Sequence, residues 1–184
     1  MNPRIRRASA AALAAAVLTA LAACSNSDSD SGSDKPQKKG PSTEQLVSKA
    51  AQDYMHAWMA VKPADAKTMC ELSTKASRPN FDEDGGTLAG CVKERKTIGA
   101  EDTDTTRAPL DIKISNVQDV PASDTHPAGK GALATMHRSG EDQFRYAVRL
   151  VKEGDKWLIE QTSDVGDRFA HTADPVAPVL AGTD

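Results

Sequence analysis

Two hydrophobic rhythms divide this chain. From residue 42 to about 99, apolar residues recur at helical spacing; from residue 110 they alternate. Ser42-Thr43-Glu44-Gln45 has the spacing of a capping box, with Ser42 as N-cap and Gln45 reaching back to it. Leu46, Ala50, Tyr54, Ala57, Trp58 and Val61 then share one face of a predicted helix. Pro63 stops that helix or begins the next. A short second helix is predicted over residues 64–72, with Ala66, Met69, Cys70 and Leu72 available for packing. A third begins near Thr87, after Gly85-Gly86, with Leu88, Cys91, Val92 and Arg95 as its stripe and Gly99 as its stop.

In the second half Leu110, Ile112 and Ile114 alternate with Asp111 and Lys113, the pattern of a half-buried strand. A Pro- and Gly-containing connection over 121–129 leads to a second strand at 132–138. Ser139-Gly140 is a hairpin signal. The third strand carries Phe144, Tyr146, Val148 and Leu150 on one face and Arg145 and Arg149 on the other. Gly154-Asp155 turns the chain into a fourth strand at 156–162. Two-residue turns would pair His137 with Asp142, Leu133 with Tyr146, Leu150 with Ile159, Val148 with Gln161 and Arg149 with Glu160. The expected fold is α+β, with N-terminal helices packed on a curved four-stranded antiparallel sheet.

The N-terminus changes where this domain is expected to work. Arg4, Arg6 and Arg7 precede an apolar run over residues 10–23, shorter than the roughly 20 residues of a membrane-spanning helix. The run ends in Leu21-Ala22-Ala23-Cys24, which resembles the lipobox of bacterial lipoproteins. That resemblance implies cleavage before Cys24, lipidation of its thiol, and an address on the extracytoplasmic face of a cell membrane. Arg6-Arg7 leaves the export route, Sec or Tat, open. The expected division is a signal peptide at 1–23, a lipidated Cys and solvated tether at 24–42, one domain at 43–165, and a flexible tail at 166–184. Loss of the three arginines in residues 1–23 leaves 20 basic and 26 acidic residues, a formal charge of −6. That charge disfavours nucleic acid as a partner and leaves membrane attachment to the acyl chains rather than to lipid headgroups.

Of the three cysteines, one is assigned to lipid. Cys70 and Cys91 remain, and in an oxidising compartment they are expected to form a disulfide. A reactive or metal-binding pair is the alternative, but no CxxC spacing or local His cluster accompanies them. His56, His126 and His171 have no ligand spacing to one another. Asp82-Glu83-Asp84 lacks the alternating ligands and closing Glu of a calcium loop. No cofactor or metal is expected.

Three helices, a four-strand meander and the closing Gly154-Asp155-Lys156-Trp157-Leu158-Ile159 resemble the nuclear-transport-factor-like, cystatin-like cone superfamily. The segment Cys70-Glu71-Leu72-Ser73, with Cys91 about twenty residues on, is similar to secreted actinobacterial lipoproteins of that fold. The resemblance implies a sheet wrapped on helices around a conical cavity, a scaffold that hosts enzymes and plain binding modules alike. Two functions are weighed. In the first, Tyr54, Trp58, Phe144 and Tyr146 wall a pocket for a small apolar ligand, oriented by Gln161, or the domain presents a face to an envelope protein. In the second, His137, Asp142 and Tyr146 form the acid/base set of an isomerase- or dehydratase-like enzyme. No inward Arg or Lys is expected, so a charged metabolite is not.

Overall fold

A computed structural model describes residues 40–60, 62, 65–78, 86–101 and 109–182. The signal peptide, Cys24, most of the tether, Pro63 and Asp82-Glu83-Asp84 lie outside them. Residues 39–184 form one compact unit. The architecture is α+β: α1 (Thr43–Ala60), α2 (Ala66–Glu71) and α3 (Leu88–Glu101) precede β1 (Leu110–Val120), β2 (Gly129–Arg138), β3 (Phe144–Glu153) and β4 (Lys156–Asp164). A 3-10 turn (Asp167–Phe169) and α4 (Val176–Leu180) close the chain. The strands form an open antiparallel sheet in the order β1-β2-β3-β4.

The capping box forms. Ser42 N–H donates to Gln45 Oε1 at 2.8 Å, and Gln45 N–H donates to Ser42 Oγ at 3.2 Å. The helix is rolled from its expected face: Val47, Ala51 and Met55 are fully buried, while Leu46 is 41% exposed. Both stripes run through Tyr54 and Ala57, and Ala50 and Ala51 do not discriminate between them; packing on the sheet decides. α3 continues through Gly99 to Glu101 rather than stopping there. Cys70 and Cys91 are bridged and join α2 to α3 across a sequence separation of 21 residues. Closing a loop of that size restricts the unfolded chain by about 3 kcal/mol. Residues 72–74 then run along β4: Thr74 N–H donates to Ile159 O, and Ile159 N–H donates to Leu72 O. The β4 edge of the sheet is thereby covered at Ile159.

Three irregularities set the register. The β2–β3 connection takes one residue more than a two-residue turn, so Ala134, not Leu133, lies opposite Tyr146. The β3–β4 pairing begins as expected, with Leu150 opposite Ile159. Glu160 then bulges, and Arg149 lies opposite Gln161. In β1 a bulge between Ser115 and Gln118, with Asn116 at φ 52°, turns Gln118 and Val120 to the face that carries Leu133.

Each sheet face has its own core. α1 covers Ile112, Ala132, Ala134, Met136, Val148, Leu150 and Ile159. The opposite face, with Val120, Leu133 and Ala147, is covered by Val165, Val176, Val179 and Leu180. The expected flexible tail is therefore a packed element. Gly131 makes the approach possible, because a Cβ there would lie 2.5 Å from Val176 Cγ1 and 2.6 Å from Val120 Cγ1. Side chains on the sheet also bind the segment's backbone. Arg145 donates to Ala170 O and Thr172 O, Asn116 donates to Ala173 O, and Gln118 holds Asp174 at 2.8 Å.

Candidate functional site

The aromatic set expected to wall a ligand pocket divides. Tyr54 and Trp58 stack with ring centroids 6.4 Å apart, and Tyr146 meets Trp58 edge-on at 5.0 Å. All three belong to the core under α1. Phe144 stands at the start of β3 and is 41% exposed. Gln161 is on the opposite face of the sheet, where it accepts from Arg149 Nε at 3.1 Å. The Glu160 bulge is the physical reason. His137, Asp142 and Tyr146 are not brought together either. His137 lies across from Asp111, Asp142 is exposed in the turn, and the added turn residue puts Tyr146 on the face away from His137.

The polar constellation of this domain lies on the α4 side. Arg149 is the largest fully buried side chain among the described residues, 1% exposed. Its Nη1 donates to Pro121 O and Pro127 O (2.5 and 2.8 Å), its Nη2 to Leu180 O (3.0 Å), and its Nε to Gln161. Four of its five N–H groups are thus used. Burial lowers its pKa from the ordinary guanidinium value, and the Glu160 carboxylate opposes that shift. The expected Arg149–Glu160 cross-strand pair is replaced by this arrangement. Glu160, 7% exposed, accepts from Thr74 Oγ1 at 2.6 Å and lies 3.2 Å from His126 Nδ1.

Of these groups, His126, Arg149 and Gln161 border a cavity of about 400 Å³ between the 121–127 connection, β3, β4 and α4. Val120, Pro121, Ala177 and Leu180 supply apolar wall; Ser123, Asp124, Thr125, His126, Arg149 and Gln161 supply polar wall. Ser123 Oγ is buried and has no hydrogen-bond partner. An unpartnered buried hydroxyl costs free energy until a guest or water satisfies it. The expectation of no inward Arg concerned the aromatic face; Arg149 lies on the other face, as expected, and there it forms part of the wall. Its signal was present in the sequence: a cation on a strand face beside Ala147, followed later by Val176, Val179 and Leu180 at one-turn helical spacing.

Among the described residues no group of three His, Cys, Asp or Glu side chains is placed to hold a metal ion, and no helix is long and apolar enough to cross a membrane. No family model, curated protein or solved structure matches this chain.

The packed aromatic face carries a pH signature. The Tyr54 phenol is pushed up from its ordinary value of 10.0 by burial, with the nearby Thr162 hydroxyl, the charge of Arg95 and the Ser73 hydroxyl acting against that shift. Tyr146 is raised by burial and by Asp164. These are the chain's two tyrosines. A phenol that holds its proton more tightly when folded contributes stability below the unfolded pKa and loses it as pH rises through the folded one. The urea midpoint is therefore expected to fall as pH passes about 10, less steeply in Tyr54→Phe. An unchanged slope in that variant would contradict the buried, proton-holding phenol.

Proposed function

We propose that this chain is a cell-envelope lipoprotein, anchored through Cys24 on the extracytoplasmic face, whose cone-like domain is a non-enzymatic binding module for a small ligand. The lipobox resemblance and the Cys70–Cys91 bridge support the address, since disulfides persist in oxidising compartments. The helices laid on an antiparallel meander are compatible with the nuclear-transport-factor-like resemblance. The observation that carries the binding reading is the α4-side cavity with the orphaned Ser123 hydroxyl. It moves the proposed site from the aromatic face to the other side of the sheet. The ligand class follows from the walls. An apolar body would rest on Val120, Ala177 and Leu180, and one or two acceptor groups, such as a carboxyl, would meet Ser123 and His126. The acid/base alternative on His137 and Asp142 has no assembled site behind it.

The address is tested by fractionation. Cys24→Ala is expected to abolish lipid labelling and remove the mature protein from the membrane fraction; a normally processed, membrane-bound mutant would contradict the anchor. Binding is tested by thermal and Trp-fluorescence titration with a series of medium-chain carboxylic acids. A ligand at one hundred times its Kd stabilises the fold by about 2.7 kcal/mol. Ala181→Trp, at the cavity wall, is expected to remove that shift while leaving the far-UV spectrum intact. A shift that survives Ala181→Trp, or none across the series, would contradict the site.

A further inference from the structure

The bridge to α2 fixes the roll of α3, with Cys91 turned inward at 3% exposure. Leu88, Ala89, Val92, Lys93 and Lys96 then fall on one contiguous face of the helix. With Lys67 of α2 they line a shallow trough of about 770 Å³. Its floor is apolar: Leu88 is 38% exposed, one of three large hydrophobic side chains left open among the described residues. Its rim is cationic. Lys67 is 72% exposed and reaches Glu71 only at 3.7 Å, and among the described residues Lys93 and Lys96 have no ion-pair partner.

We propose that this face is a docking surface for an anionic lipid bilayer, with Leu88 and Val92 entering the headgroup boundary and Lys67, Lys93 and Lys96 lying against lipid phosphates. Two observations select this occupant. The first is charge complementarity. The whole chain carries a formal charge of −3, yet every charged residue lining this trough is a lysine. An apolar strip flanked by lysines is the arrangement with which helices lie in a bilayer interface. The second is the chain that precedes the domain, and here the inference rests on the lipid-anchor reading. Residues 25–42 are rich in Ser, Asp, Lys and Gly. A chain of that length spans at most about 65 Å. A domain held by Cys24 on such a tether meets the bilayer at high effective concentration, so a weak surface is sufficient to orient it. The net charge, −6 without residues 1–23, disfavours headgroup attachment averaged over the chain; interactions beyond about 10 Å are screened at physiological salt, so the local lysines decide at this face.

The test uses residues 39–184. Among the described residues both cores are built from side chains between Val47 and Leu180, and residues 39–184 form one compact unit. It also lacks Cys24, so its behaviour is independent of lipidation. Co-sedimentation is measured with vesicles of phosphatidylcholine alone and of phosphatidylcholine with phosphatidylglycerol. The fragment is expected to bind the anionic vesicles and not the neutral ones, and to weaken with added salt. Lys93→Glu with Lys96→Glu is expected to lower binding by at least about tenfold, and Leu88→Ser to weaken it. Leu46→Ser, which removes a different exposed side chain, is expected to have no effect; circular dichroism confirms the fold of each variant. Absence of binding to anionic vesicles, equal binding to both compositions, or an unaltered affinity in the lysine double variant would overturn the proposal. Binding of an acidic amphipathic peptide in place of vesicles would overturn it in favour of a protein partner. Failure of the anchor reading shows separately, in the fractionation of Cys24→Ala.

Discussion

A guanidinium with almost no access to water organises the half of this domain that lies beyond the sheet. Arg149 is held by carbonyls from both ends of the 121–127 connection, by the last residue of α4 and by Gln161. A buried cation is tolerated only with its donors satisfied and an opposing charge nearby, here Glu160. Each carbonyl acceptor comes from a segment with weak order of its own. α4 has five residues, and the connection contains Pro121 and Pro127. Short helices are marginal without tertiary support. The arginine and the apolar contacts of Val176, Val179 and Leu180 supply that support together, and the space left between the gathered segments is the cavity.

The elements were legible because each carries a local signal. Ser42 and Gln45 announce the start of α1, and the 2.0 period announces the strands. Gly154-Asp155 sets the β3–β4 turn, and the two remaining cysteines find each other. What escaped the sequence is everything that depends on counting single residues. One added residue in the β2–β3 turn and the bulge at Glu160 each exchange the faces of the residues beyond them. Leu133 and Gln161 therefore lie on the α4 side rather than with Tyr146. The tail escaped for another reason: its apolar pattern is too short to stand out, and its docking depends on the close approach that Gly131 permits and on polar side chains from β1 and β3.

The sheet consequently separates two tasks. On the α1 face, aromatic and aliphatic side chains fill the interior and give the domain its stability. On the α4 face, polar groups are gathered at a boundary that remains partly open. α3, fixed by the disulfide, packs Cys91 and Val92 on the α1-face core and bears an apolar strip among lysines on its outer side. Averages over the chain hide this arrangement. A formal charge of −3 describes neither the cationic trough nor the buried Arg149 with Glu160 beside it.

Amide hydrogen exchange on Arg149→Met tests the central claim most directly. Met fills similar space without donors, leaving three carbonyls and Glu160 uncompensated, a loss of about 3–5 kcal/mol if the buried charge is removed from its partners. The account predicts that the amides of Val179 and Ala181, bonded to Pro175 O and Ala177 O, lose protection together with the 121–127 connection, while those of α1 and β2 remain protected. Tail amides that stay as protected as those of β2 would show that apolar packing alone holds the segment and that Arg149 is not its anchor.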